Sequence, residues 1–331
     1  MRILVDAMGG DLAPDEIVKG AVHAQQELGA EIVLVGQRAA IEACLRNEQA
    51  RLEIIDASEV ITMDDDPSTA TRRKKDASMT VALNMLRDGK GDAVVSAGST
   101  GALLTGATLI VKRIKGVKRP AIGTVVPCKD GCFMMLDSGA NHDCRPEMLR
   151  QFGLMGSVYM KRILGVPNPR VGLVNIGVEE TKGTELQVEA YGLMKEAGYN
   201  FIGNVEAREV PLGGCDVAVC DGFTGNIILK TTEGLAKLFM SEIKGIFMKS
   251  LPNKLAAAVV KKDLGAFKKK FDSAEYGGAL LLGTKKPVIK AHGSSDAKAF
   301  YNAIRQAISC CENNIIGEME SQLAVETAEA E

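Results

Sequence analysis

The segment Asp221-Gly222-Phe223-Thr224-Gly225-Asn226 stands between a short apolar run, Val217-Ala218-Val219-Cys220, and a long helical pattern opening at Ile227. A strand that passes through Gly, Thr and Asn into a helix leaves backbone N–H groups and the positive end of the helix dipole facing outward, an arrangement suited to an anion. The design recurs as Ser99-Thr100-Gly101 after the run 92–97, and as Gly293-Ser294-Ser295-Asp296 after the run 287–292, which ends in His292. Three such junctions point to an enzyme that handles phosphate.

Other strand ends add polar groups to this set. Asp6-Ala7-Met8-Gly9-Gly10-Asp11 offers close backbone approach at Gly10 and a carboxylate, Asp6, able to orient a ligand or a neighbouring loop, or simply to cap a tight turn. Asp137-Ser138-Gly139-Ala140-Asn141 carries Asn141 just before a helix pattern opening at Pro146. In Asn175–Glu185 the ammonium of Lys182 precedes a helix start, where it either meets an anion held by backbone donors or is a solvated loop lysine. Neither the Gly-x-Gly-x-x-Gly dinucleotide fingerprint nor a P-loop is present, which lowers the case for NAD or ATP chemistry.

Eight cysteines and three histidines give little nucleophilic or metal chemistry. His142 and Cys144 share a loop without any sign of contact, and Cys128-x3-Cys132 is poor spacing for zinc in an apolar context. No metal and no cofactor are expected. Several cysteines lie in apolar runs and read as small core residues in a reducing, cytosolic compartment, with no secretory signal before the first strand. A net charge of −2, no Trp and few aromatics exclude a nucleic-acid surface.

Positioning these junctions requires short apolar runs alternating with helical patterns over nearly the whole chain. Strands are expected at 3–6, 31–36, 52–57, 92–97, 122–126, 133–137, 170–176, 201–205, 217–221 and 288–291, with helices near 15–28, 38–47, 76–88, 100–114, 146–164, 184–197, 224–250, 254–270 and 296–313. The alternation predicts an α/β protein of three layers, α/β/α, with a mainly parallel sheet and the junctions at the carboxyl ends of its strands. One domain is expected over 1–316, followed by a polar, acidic tail at 317–331 that frays.

Two segments break the alternation. The polar loop 62–79 runs from Asp64-Asp65-Asp66 to Arg72-Arg73-Lys74-Lys75. Residues 235–272 hold nine lysines against Glu242, Asp263 and Asp272, on two amphipathic helices broken at Leu251-Pro252-Asn253. Their apolar stripes, running from Leu235 to Phe271 with a tip at 255–260, suit a subunit interface, or that and contact with an anionic bilayer. No run is long enough to span a membrane.

Taken together, Asp6–Asp11, Arg72–Asp76, Ser96–Ala102, Asn175–Glu185, Phe201–Arg208, Asp221–Lys230, Tyr276-Gly277-Gly278 and Lys290–Asp296 resemble the bacterial acyl-carrier-protein:phosphate acyltransferases, from Met1 to about Ile316. Ser138 stands where the family commonly has Val. The resemblance implies a fold like isocitrate and isopropylmalate dehydrogenases with a protruding amphipathic helical pair, usually in a homodimer. It implies transfer of a long-chain fatty acyl group from the carrier-protein thioester to orthophosphate, in phospholipid synthesis. A membrane glycerol-3-phosphate acyltransferase would then consume the acyl-phosphate, and the helical pair would hold the enzyme peripherally on an anionic membrane.

On this resemblance Lys182 and Asn226 are the expected catalytic pair. Gly10, Ser99, Thr100, Gly101, Thr224, Gly225, His292 and Ser294 are expected to hold substrate, with Asp6 and Asn141 lining the cradle. The acidic carrier protein is expected on Arg72, Arg73, Lys74 and Lys75 or on the lysines of 235–272, and the membrane on Leu255, Val259 and Val260. A phosphotransacetylase-like enzyme using acyl-CoA, a dehydrogenase on the same fold and a membrane-bound carrier-protein scaffold are the competing readings.

Overall fold

A computed structural model describes residues 1–270, 275 and 277–329. Phe271, Asp272 and Tyr276, named above, lie outside the described residues. Eleven strands form one sheet: β1 (Arg2–Asp6), β2 (Glu31–Gly36), β3 (Glu53–Asp56), β4 (Ala93–Ser96), β5 (Ala121–Cys128), β6 (Gly131–Leu136), β7 (Val171–Asn175), β8 (Phe201–Glu206), β9 (Val217–Val219), β10 (Ala279–Leu282) and β11 (Val288–Lys290). Their order is β3-β2-β1-β4-β11-β10-β5-β6-β9-β7-β8. The strands read from the sequence are all present to within a few residues. The unexpected one is β10, a buried Leu280-Leu281-Leu282 run that pairs antiparallel with both β11 and β5.

That strand runs against both its neighbours. β1, β2, β3, β4 and β11 are mutually parallel, as are β6, β9, β7 and β8, but β10 and the antiparallel β5–β6 hairpin between them make the two sets run in opposite directions. The anion junctions therefore do not leave one common edge. Those after β4 and β11 leave one edge, whereas that after β9 and the Lys182 loop after β7 leave the other. Twist offsets this: at ~20–25° per strand, the five steps from β4 to β9 turn the strand directions by about 110°.

The helices are α1 (Asp15–Leu28), α2 (Arg38–Asn47), α3 (Ala70–Arg73), α4 (Ser78–Arg87), α5 (Thr100–Gly106), α6 (Pro146–Arg162), α7 (Glu185–Lys195), α8 (Gly222–Met248), α9 (Leu251–Val259), α10 (Lys261–Lys270), α11 (Ala297–Glu312) and α12 (Ile315–Glu329). One face of the sheet carries a continuous core: Ile3, Val5, Leu34 and Val95 of one half and Val171, Leu173 and Val219 of the other pack with α1, α6 and α11. The opposite face is split. Leu4, Val33 and Val94 pack under α4 and α5, while Val126, Met135, Ala218 and Cys220 pack under Ile228 and Leu229 of α8. β5 contributes Ile122 to one cluster and Val126 to the other, and where the clusters part a cleft opens between α5 and the loop after β6.

Three further departures have local causes. The helix 100–114 becomes a π-helix at Ala107–Val111 and ends at Lys112 with φ 74°. The expected second helix of the pair is two, because Ser250 caps α9 and the chain breaks again at Val260. The expected frayed tail is α12, held by buried Ile315, Met319 and Leu323 and by a 2.6 Å Arg162–Glu318 ion pair.

Candidate active site

The first turn of α8 is built against the loop after β6. Asp221 caps the helix, accepting from the Thr224 amide at 2.9 Å and the Thr224 hydroxyl at 2.7 Å. The Gly222 amide donates to the Asn141 carbonyl at 2.7 Å, and a Cβ on Gly225 would overlap the Asp137 carbonyl oxygen. Both glycines are buried, so the sequence Asp-Gly-x-x-Gly serves close backbone approach. Asn226 remains exposed, and its side chain lies 3.6 Å from the position a Cβ on Gly139 would take.

The loop after β6 is organised by Asp137, which is fully buried. Its carboxylate accepts from the amides of Ile122, Gly139, Ala140 and Asn141 and from the Asn141 side chain. Burial raises its pKa and these donors oppose the rise. The Asn141 side-chain amide is engaged by Asp137 and by the Pro120 carbonyl at 2.8 Å. Asn141 thus braces the loop through its amide while the residue stays at the wall of the adjoining cavity. A cavity of about 190 Å³ adjoins this loop, between Ala140 and Asn141 on one side and Leu104, Thr105, Thr108 and Leu109 on the other.

Lys182 is exposed on the neighbouring loop. β7 pairs with β9, Leu173 opposite Val219, so the loops leaving these strands are adjacent. The Asn175 side-chain amide donates to the Lys182 carbonyl at 2.9 Å, and the Lys182 amide donates to the Glu179 carbonyl at 3.1 Å. These bonds hold the backbone and leave the ammonium outside them.

At the other end of the cleft, the loops after β1, β4 and β11 meet backbone to backbone. A Cβ on Gly9 would fall 2.7 Å from the Gly98 nitrogen, and one on Gly10 would fall 3.1 Å from the Gly293 carbonyl oxygen. The Asp11 amide donates to that carbonyl at 2.8 Å. Ser99 is buried and caps α5, while Thr100 is exposed and Gly101 packs under Pro67. Asp6 is buried and accepts from the hydroxyls of Ser78 and Ser96, both at 2.6 Å, and its pKa is raised by burial. Its two oxygens hold the fold together, so the expected lining role is not what its bonds describe.

His292 Nδ1 and the Ser294 hydroxyl are 2.9 Å apart. Desolvation, and then the charge of Lys230 on α8, lower the His292 pKa.

The basic run is divided. Arg72, Arg73 and Lys75 are exposed, but Lys74 is bound to Asp65 at 2.7 Å and to the Val60 carbonyl at 2.9 Å. Lys74 therefore braces its own loop and is withdrawn from the expected docking patch. α8 to α10 are mostly exposed: Leu238, Phe239 and Ile246 on α8 and Leu255 and Val259 on α9 are all solvent-facing, and Val260 is half-buried. No described helix is long and apolar enough to cross a membrane.

Burial raises the thiol pKa values of Cys144 and Cys215, each to about 12. Among the described residues no group of three His, Cys, Asp or Glu side chains is placed to hold a metal. Sequence reasoning missed Asp137 as the organiser of the site; a buried strand ending in Asp before Ser-Gly-Ala-Asn was its only signal.

The architecture is that of the phosphotransacetylases. The chain superimposes on a Streptococcus pyogenes phosphotransacetylase with a TM-score of 0.63 and 17% identity, covering 95% of this chain and 94% of that one. It matches a Klebsiella pneumoniae 4-hydroxythreonine-4-phosphate dehydrogenase at 0.55 and 13%, covering 94% and 99%. Sequence relationship is much closer elsewhere. The family described as fatty acid synthesis protein matches residues 1–318. The phosphate acyltransferase of Alkaliphilus oremlandii is 51% identical over 319 residues, 96% of this chain and 95% of that one. That of Clostridium acetobutylicum is 50% identical over 328 residues, 98% and 99%. The chain belongs to the phosphate acyltransferase family and is an acyltransferase.

Proposed function

We propose that the protein transfers a long-chain fatty acyl group from an acyl-carrier-protein thioester to orthophosphate, yielding acyl-phosphate for phospholipid synthesis. The observation that carries the site assignment is the exposed Asn226 amide on the first turn of α8, beside the loop that presents Lys182. A phosphate oxygen attacks the thioester carbon, the C–O bond forms, and the C–S bond breaks to release the carrier thiol. Phosphate is itself a competent nucleophile, so no side chain need become acylated. The protein's part is to hold a dianion in line and to stabilise the carbonyl oxygen as it becomes negative. Lys182 supplies positive charge to phosphate or to the oxyanion, and Asn226 donates from its amide. The thiol leaving group has a pKa near ~8.5, so its departure needs little acid catalysis.

The loops carrying Gly10, Ser99, Thr100, Gly101, His292 and Ser294 hold substrate at the other end of the cleft, facing Thr224 and Gly225. Arg72, Arg73 and Lys75 steer the acidic carrier protein. The exposed apolar stripe of α8–α10, among lysines, supports a homodimer and peripheral attachment to an anionic membrane, where a glycerol-3-phosphate acyltransferase would take the product. The test supplies purified enzyme with palmitoyl-carrier protein and phosphate, without nucleotide or added metal, and follows acyl-phosphate as its hydroxamate. Product from the carrier-protein thioester supports the reading. Product from acyl-CoA alone would replace it with a phosphotransacetylase-like activity, and no product from either would leave a scaffold.

A further inference from the structure

Asp6, Ser96 and Lys290 form one rung across β1, β4 and β11: Asp6 pairs with Ser96 in register, and Ser96 with Lys290. Leu4, Val94 and Val288, two residues earlier on each strand, belong to the core under α4 and α5, so the rung faces the cleft side of the sheet. Lys290 is only 8% exposed. Its ammonium donates to the Ala97 carbonyl at 3.3 Å and to the Ala291 carbonyl. Those two carbonyls open the loops that run to Ser99–Gly101 and to His292–Ser294. A buried ammonium is costly to desolvate, and here two loop carbonyls and the nearby Asp6 offset that cost.

We infer that Lys290 is a positioning residue for acyl transfer: in its protonated form it fixes the loops after β4 and β11 against each other and so sets the backbone donors they present to phosphate. The inference rests on the reading that these loops hold phosphate. Every charged group facing Lys290 bears on its proton. Asp6 on β1 and Asp11 after it favour the charged form, whereas Lys230 on α8 opposes it. His292 on its own loop is coupled to Lys290 as well as to Lys230, Glu233 and Lys237 of α8. Burial outweighs the acids and brings the Lys290 pKa down to about 8. Above that pH the ammonium loses a proton and its grip on the two carbonyls weakens.

The experiment measures kcat and KM for phosphate from pH 6.5 to 9.5 in the wild type, Lys290→Arg and Lys290→Met, with thermal melting to confirm folding. The wild type is expected to show KM for phosphate rising about tenfold through pH 8, with kcat changing less. Lys290→Arg, whose guanidinium keeps its charge, should hold a low KM to pH 9.5. Lys290→Met should show a high KM that no longer responds to pH. A wild-type profile that is flat for phosphate and, measured over the same range, for the acyl donor, or an arginine variant that keeps the wild-type rise, overturns the inference. If Lys290→Met fails to fold, the arginine comparison decides alone; if Lys290→Arg fails, the methionine profile does. A pH-dependent rise confined to KM of the acyl donor would support the positioning role and overturn the assignment of these loops to phosphate.

Discussion

The backbone amide of Gly222 donates to the carbonyl of Asn141 at 2.7 Å, which fixes the first turn of α8 to the loop after β6. This bond and the cap from Asp221 determine where Asn226 stands. The placement of Asn226 is thus a matter of backbone contact, and the residues that permit it are glycines.

Gly225→Ala tests that dependence. Its methyl group would overlap the Asp137 carbonyl, which is itself part of a buried hydrogen-bonded loop. The helix start must retreat, at a cost of about 1–3 kcal/mol for overpacking. The expected result is a lower melting temperature and loss of most acyl transfer, read by calorimetry and by product formation. Gly234→Ala, on the same helix with open space at its Cβ position, is the control and should melt as the wild type.

Lys182→Ala and Asn226→Ala separate chemistry from folding, because both side chains are exposed. Each is expected to lower kcat by ~10²–10³, the usual effect of removing one donor to a developing oxyanion. Melting temperatures should stay within a degree or two of the wild type. Near-wild-type turnover in either variant would remove that residue from the mechanism.

The loop between β3 and α4 has an acid limit with a defined sign. Asp65 is held below its usual pKa by Lys74, Asp66 by Ser68 and Asp76 by Ser58. A depressed folded-state value means that the stabilisation is complete above the unfolded value near 3.8 and is lost as pH falls through the lower folded value. Buried Asp137, whose pKa is raised, acts the other way: its contribution fades as pH rises through its folded value. The amides of Thr62, Ser68 and Ser58, which bond to the three depressed carboxylates, should keep their exchange protection relative to the intrinsic rate at pH 5 and lose it below pH 3.8. Equal protection at both would show that these bonds do not order the loop.

Leu255→Glu and Val259→Glu address the helical projection. Both residues are exposed on α9, which buries no side chain. The double variant should release the enzyme from phosphatidylglycerol vesicles in a flotation assay while retaining its rate on soluble substrates. Unchanged flotation would place the anchor elsewhere.

Much of the fold was legible because its signals are local. The buried runs of β1, β2 and β11 and the periodicity of α1, α2 and α11 each follow from a few adjacent residues. The reversal of the sheet was not, because it needs three successive antiparallel pairings, and one of them joins the four-residue β10 to β5, far away in sequence. Asn226 was visible as a helix-start residue, and Asp6 as a residue that orients either a ligand or a neighbouring loop, but the bracing role of Asn141 was not visible. Small polar residues at strand ends serve ligands and loops alike, and only their bonds to Ser78, Ser96 and Asp137 distinguish the two. The tail misled for a similar reason: its charges are plain in sequence, whereas the stripe of Ile315, Met319 and Leu323 matters only beside α6.

Direct attack by bound phosphate is the centre of this account, and a pre-steady-state burst measurement tests it. Enzyme is mixed with a molar excess of acyl-carrier protein in phosphate-free buffer, free carrier thiol is followed, and the intact protein mass is recorded. The account predicts no burst of thiol and no acyl adduct, then thiol and acyl-phosphate appearing one for one when phosphate is added. A burst equal to the enzyme concentration, with an acyl mass on the protein before phosphate is present, would contradict it.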